Sequence, residues 1–338
     1  MPDAGIVSLY SAWENPLPLL GTMLRNDYDI TGSIQTTSAA AVGQEVVRLY
    51  HALNPHASSA PLEKAFVDVE LMYTGRYPDY GPCDTEYHDI QHVLDVTLAM
   101  ARLMDGYEQD RKAEDESLGP SLFIAGALAA LFHDFGYLRR RNDHRHRYGS
   151  EYTITHVSRG AVFLRAYARE LGFSDTLALL SGALLHFTGY ERQPEAIRIG
   201  AGLARQLGEL LGTADIIAQM ADRCYLEKCR DRFYPEFVLG ALGSPRSAVP
   251  LPSFASGADL VAKTPTFYEH AVRRLNVQLG RAYEYAARHF GGANPYIDAM
   301  RRNAAYAAEG AAVLRRQPPH TLLPQVEPYP RDLFGLAH

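Results

Sequence analysis

The sequence predicts an all-α fold. Apolar residues recur at helical spacing through eight stretches, and glycines or prolines separate many of them. Nowhere do short β-branched runs alternate with turn residues, the pattern a sheet would require.

Taken in order, residues 1–60 are poorly patterned, and the small polar run "TGSIQTTSAAAVG" (31–43) reads as a mobile loop or linker. Helices are then expected over 61–74, 87–104, 121–134, 150–171, 174–187, 194–228, 266–289 and 295–316. Ser174-Asp175 ahead of "TLALLSGALL", Thr266 ahead of "FYEHAV", and Pro295 after Asn294 are N-terminal helix signals. The most apolar run, "LFIAGALAALF" (122–132), is too short to span a bilayer and ends at His133-Asp134, so it reads as a buried core helix. The proline-rich end, 317–338, is expected to pack as an extended tail. Four units follow: an N-terminal extension (1–60), a helical core (61–240), C-terminal helices packed on it (241–316) and the tail. There is no internal repeat and no low-complexity tract.

Composition bounds the function. With 47% hydrophobic and 21% charged residues, the chain is ordinary for a globular protein. A net charge of −6 supplies no basic field for nucleic acid or an anionic membrane. Three cysteines (Cys83, Cys224, Cys229) form no CxxC and leave an odd count, which suits reduced thiols in a cytoplasm. The N-terminus lacks the basic start and apolar core of a signal peptide. A cytoplasmic protein is expected.

The chemistry begins in "TEYHDIQHVLDVTLAM" (85–100). His88, His92 and Asp95 fall three, four and seven residues apart, so they share one face of a helix whose neighbouring positions are apolar. A buried imidazole or carboxylate is costly unless something pairs with it. "ALFHDFGY" (130–137) repeats the problem by setting His133 beside Asp134 at the end of the most apolar helix. His156 in "THVSRGA", His186 in "ALLHFTGY" and Asp215 in "GTADIIAQ" each sit in or after an apolar helical pattern. A divalent cation would compensate all of these groups at once, since imidazole and carboxylate together suit Zn, Mn, Fe and similar ions. The order H…HD…H…H…D is a metal-ligand inventory.

"YHDIQHVLDV" resembles the YHNxxHAxDV motif of class I cyclic-nucleotide phosphodiesterases. The HD pair, later histidines and "TAD" resemble the wider HD-domain superfamily of metal-dependent phosphohydrolases, over roughly 87–228. The resemblance implies an HD-domain helical bundle with extra N- and C-terminal helices. By position it implies that His92, His133, Asp134 and Asp215 hold a first metal. His156 and His186 would hold a second, with Asp134 bridging the two. His88 matches the histidine that gives a proton to the leaving oxygen, so His88 and Asp134 carry the catalytic expectation. Asp89 stands where the family has Asn, and no HPG follows the HD pair. These departures bear on the substrate and leave the metal ligands in place.

Other polar residues have two readings. Asp95 orients a ligand or caps neighbouring backbone. "LRRRNDHRHRYGS" (138–150) carries five arginines and two histidines, among them Arg139, Arg140, Arg141, His144 and His146. It is either a solvated basic loop or one that overhangs the metals and grips phosphate. Glu151 coordinates, orients or opens a helix, and Asp222 lies near Asp215's face. Lys228 and Arg232 either reach substrate or pair with Glu227 and Asp231.

The expected protein is therefore a phosphohydrolase, a phosphodiesterase or nucleotide hydrolase, using divalent ions (two of Zn, Mn, Fe or Mg). Its substrate is a small phosphate-bearing anion. Membrane or nucleic-acid binding is not expected, and a homodimer is compatible with the Ala- and Tyr-rich C-terminal helices. An HD-fold mixed-valent diiron oxygenase uses the same ligand types and is the alternative; a non-catalytic ligand sensor is the third reading.

Overall fold

A computed structural model describes residues 25–189, 192–243, 254–310, 312, 314–327 and 329–330. It is all-helical: among the described residues no strand occurs, and only isolated bridges join Tyr28 to Gln35 and Tyr80 to Arg140. Residues 1–24 of the expected N-terminal extension and 331–338 of the expected tail lie outside the described residues.

The longest helix, α3 (Ile90–Asp110), is the axis of the fold. It is buried nearly all round, from Gln91 to Gly106, as expected of a helix surrounded by others. Helices α1 (Ala39–Leu53), α4 (Gly119–Leu131), α7 (Leu203–Ala221) and α12 (Glu284–His289) pack on it. α2 (Ala60–Tyr73), α5 (His156–Glu170) and α6 (Asp175–Leu184) extend the bundle on the α1/α4 side. On the α7 side, α8 (Tyr225–Lys228), α9 (Tyr234–Gly243), α10 (Gly257–Ala262), α11 (Thr264–Val277) and α13 (Pro295–Ala308) complete it.

Two of the three capping signals work as read; the third, Thr266, lies inside a helix that already starts at Thr264, with a proline in its first turn. Ser174 and Asn294 accept hydrogen bonds from Leu177 N and Ile297 N, and Pro295 occupies a first turn. The loop expected over 31–43 is different. Ser38 caps α1 by accepting from Ala41 N, and the residues before it form a turn around Asp29, whose carboxylate takes the Ser33 and Ile34 amides at 2.8 Å. Arg102, buried on α3, donates to Asp29 at 2.6 Å and to the Tyr296 hydroxyl at 3.0 Å. A buried guanidinium thus joins the N-terminal turn and α13 to the central helix. The stretch read as a loop thus ends inside the first turns of a helix that buries Val42, Val46 and Leu49.

Three expected helices are broken, 150–171 among them, where a 3₁₀ turn, Gly149–Tyr152, precedes α5. The stretch 266–289 divides at Gly280 and Arg281, both left-handed (φ 57° and 58°), giving α11 and α12. The stretch 194–228 splits into a 3₁₀ turn at Pro194–Ala196, then α7 and α8. After α8 the chain continues without a stop through a π turn, Cys229–Phe233, into α9.

Candidate metal centre

Asp89 starts the site. Its side chain accepts from His92 N at 3.0 Å and caps α3, so the helix begins directly after the "YHD" triplet. His92 lies in the first turn and faces inward. α4 stops at Leu131, and the turn after it turns His133 and Asp134 toward His92.

Three donor atoms converge there. His92 Nε2 and His133 Nε2 are 3.2 Å apart, and Asp134 Oδ2 lies 3.3 Å and 3.2 Å from them. Asp215 Oδ1, from the middle of α7, stands 3.5 Å from His92 Nε2 and 3.8 Å from His133 Nε2. An ion with ligand bonds of about 2.0–2.2 Å has ligand–ligand edges of about 2.8–3.6 Å across octahedral and tetrahedral geometries. Four of these five separations fall in that window, and the fifth is slightly longer.

The imidazoles are set for this task. His133 Nδ1 meets the Ala130 carbonyl at 2.7 Å, so Nδ1 carries the proton and Nε2 turns a lone pair inward. His156 repeats the arrangement: Nδ1 meets the Thr153 carbonyl at 2.6 Å, and Nε2 faces the other oxygen of Asp134, Oδ1, at 3.6 Å. Lone pairs turned on one another repel unless positive charge lies between them. Burial opposes a charge on His133, but Asp134 and Asp215 outweigh it and lift its pKa to about 9. Burial likewise pushes Asp134 up, yet His133 and His88 hold its carboxyl well below the usual range. The donor set could hold a divalent metal.

Gly136 brings the start of α5, with His156, close to Asp134. A Cβ there would lie 1.8 Å from the His156 carbonyl oxygen, so only glycine lets the turn after Asp134 rest on the start of α5. Arg159 fastens the contact by donating to the Gly136 and Leu138 carbonyls at 2.8 Å and 3.1 Å. His186 is buried in the 3₁₀ turn Leu185–Phe187 that follows α6.

His88 stands outside the donor triangle. Its ring centroid is 5.8 Å from that of His92 and 6.5 Å from that of His156. Its Nδ1 lies 2.7 Å from Glu236 Oε2, and Tyr137 stacks on it at 4.5 Å and on His156 at 4.3 Å. Burial lowers the basicity of His88, but Glu236, Asp134 and Asp215 more than restore it, so its pKa is raised. Sequence reading missed both Glu236 and Tyr137. The signal for Glu236 was the one that selected Asp134, a lone carboxylate among apolar residues ("FYPEFVLG").

The remaining candidates have these places. Asp95 lies with Asp222 and Lys228 in the seam between α3 and α7. Burial raises its pKa well above the carboxylate range, and Asp222 adds to the shift. A cavity of only about 10 Å³, lined by His92, Asp95, Asp222 and Lys228 among others, adjoins the donors along this seam. Lys228 is buried, donating to Gln91 at 2.9 Å and pairing with Asp222. Arg232 pairs with Asp89 at 3.4 Å. The cation partners expected from neighbouring sequence, Glu227 and Asp231, are thus replaced by Asp222 and Asp89, because the chain turns these side chains inward.

In the basic loop, Arg139 pairs with Asp84 at 2.9 Å and donates to the His146 carbonyl at 2.8 Å. Arg140 is exposed over the Tyr80 ring, and Arg141 bonds the Gly75 carbonyl. His146 meets Asp143 at 3.1 Å, and His144 is exposed. Glu151 closes a capping box by accepting from Tyr148 N at 2.8 Å.

The proline-rich end runs over the start of α3. Thr321 donates its hydroxyl to Asp89 Oδ2, and Arg232 donates to the Pro319 carbonyl at 2.6 Å. Tyr329 is buried with its ring edge-on to Tyr148.

The three cysteines are free and buried, and no described helix is long and apolar enough to cross a membrane. No protein-family model and no curated protein matches the chain. The fold is similar to two crystal structures from Salpingoeca rosetta. One is the phosphodiesterase domain of its rhodopsin phosphodiesterase, with a TM-score of 0.50 and 15% identity over 86% of this chain and 93% of that one. The other is the phosphodiesterase domain of the RhoPDE fusion protein of this choanoflagellate, with a TM-score of 0.49 and 14% identity over 86% and 96%. At these identities the likeness is one of fold, and the shared fold is all-helical.

Proposed function

We propose that the chain is a metal-dependent phosphoric-ester hydrolase of the HD type, acting on a small phosphodiester or nucleotide. The observation that carries this reading is the triangle of His92, His133 and Asp134, with edges of 3.2–3.3 Å. Asp215 completes the first set, and His156 and His186 belong to a second that Asp134 bridges. Support comes from the fold likeness to a domain described as a phosphodiesterase.

When bound, divalent ions supply Lewis acidity and a place where water becomes nucleophilic near neutral pH. The chain's residues do the rest. His88, whose Nδ1–H is held by Glu236, gives the proton on its other nitrogen, Nε2, to the departing oxygen. Tyr137 fixes the ring plane of His88 through stacking. Arg140, His144 and His146, on the loop after the HD pair, draw the anionic substrate in; Asp95, Glu151 and Asp222 hold their neighbours in position.

The test is metal analysis of protein purified without added ions, followed by phosphate release from phosphodiesters and nucleotides with and without a chelator. Hydrolysis abolished by chelation and restored by one added ion is expected. Turnover that needs O₂ and releases no phosphate product would move the protein to the diiron oxygenases. Hydrolysis indifferent to chelation would dismiss the metal altogether.

A further inference from the structure

A second cavity, of about 250 Å³, lies between the C-terminal half of α11 and the segment that leads into the 3₁₀ turn Pro194–Ala196. Arg192, Gln193, His270, Arg273, Arg274 and Gln278 line it. Among the described residues, none that line it carries a carboxylate, in a chain whose net charge is −6. His270, Arg273 and Arg274 fall at helical spacings of three and four, so α11 presents them on one face. Arg192 meets them from a different segment.

Part of this charge has a local explanation. A basic residue in the last turn of a helix complements the negative end of its dipole. Arg274 is also buried, donating to the Phe187 and Gly189 carbonyls at 2.7 Å and 2.9 Å. Neither argument covers Arg192 and Arg273, which are exposed yet face the same concavity. Like charges gathered around a hollow raise its potential and concentrate anions there. The walls are also tied together, since Gln278 donates to Gln193 at 2.8 Å.

We propose that this cavity is a binding site for a small phosphate-bearing anion, separate from the metal centre. Guanidinium groups match phosphate oxygens in paired hydrogen bonds, which a lone ammonium cannot do. The volume falls below the roughly 300–1,000 Å³ of pockets for drug-sized ligands. It therefore suits one or two phosphate groups carrying little else. The proposal goes beyond the hydrolase reading and survives if that reading fails.

The experiment is calorimetric titration of pyrophosphate into protein freed of metal by dialysis, at about 0.15 M salt to screen loose surface attraction. Removing the metal keeps the probe from reporting the metal centre. Saturable 1:1 binding is expected, weakened about tenfold in each of Arg192→Ala and Arg273→Ala, the loss of one charge-assisted contact. Both residues are exposed, so the fold is retained, which circular dichroism checks. Arg169→Ala, which removes an exposed arginine elsewhere, should leave the affinity unchanged. Parallel titrations with orthophosphate and a nucleoside diphosphate distinguish the sources of the phosphate. Absence of saturable binding to all three, or equal weakening by Arg169→Ala, overturns the site.

Discussion

Glu236 Oε2 lies 2.7 Å from His88 Nδ1, joining the start of α3 to α9 across 148 residues of sequence. The same carboxylate also takes the Tyr87 amide. The acid expected at this site is thus held by two contacts from one buried group.

That pairing predicts a pH dependence. The groups acting on His88 are Glu236, Asp134 and Asp215, and together they raise its pKa against burial. A step that needs protonated His88 fails as pH rises through that raised value. Glu236→Gln removes the strongest support, so the alkaline limb of the kcat/KM profile should move to lower pH. The stability change follows the same sign: the pair stabilises the fold fully below the unfolded histidine value, about 6.5. That contribution is lost as pH rises through the folded value, so wild type and variant should converge in urea midpoints at alkaline pH. An alkaline limb that stays where it was would remove Glu236 from the proton's path.

His88→Ala should keep its metals, because the ring stands outside the donor triangle. Activity on an ester with a poor leaving group should fall about 10²–10⁴-fold, the usual contribution of general acid catalysis. A nitrophenyl ester leaves without a proton and should lose far less. Equal losses on both would make His88 a positioning residue or a ligand.

Asp134→Ala removes the carboxylate whose two oxygens face His92 and His133 on one side and His156 on the other. Most of the bound metal should be released, measured by elemental analysis against protein concentration. Full retention would refute the bridging role.

Arg139 and Arg140 should separate by readout. Arg139→Ala breaks a part-buried pair with Asp84 and should reduce stability by about 1–2 kcal/mol in urea unfolding. Arg140→Ala loses only an exposed ring contact and should leave stability alone while raising KM for an anionic substrate. An unchanged KM would leave the loop solvated and idle.

Gly136→Ala forces a methyl group into the His156 carbonyl. Overpacking of this kind costs about 1–3 kcal/mol, and the shift should displace His156 as well. A normal urea midpoint with normal metal content would show that this close approach is dispensable.

The sequence made the donor set legible because charge in apolar helices is anomalous wherever it occurs. His92, His133, Asp134 and Asp215 each stood out for that reason before any contact was known, and the structure gathers them. Glu236 escaped because helical periodicity changes just before it. Pro235 has no amide to give the Asp231 carbonyl, and its ring would crowd that oxygen. The chain widens into the π turn instead, with Tyr234 N bonding the Cys229 carbonyl five residues back. A strict 3.6-residue count therefore assigns Glu236 to the wrong face. Tyr137 shows a different limit: its stacking partners, His88 and His156, come from other segments, and local spacing carries no record of them.

The contact between Thr321 and Asp89 also sets an order in time. These residues are 232 apart in the chain. Asp89 caps α3 through His92, three residues on, so the cap itself is a local contact. Synthesis at about 5–20 residues per second places the arrival of Thr321 roughly ten to fifty seconds later. During that interval the start of α3 is uncovered while the protein is still on the ribosome. The tail therefore joins a helix start that Asp89 has already capped.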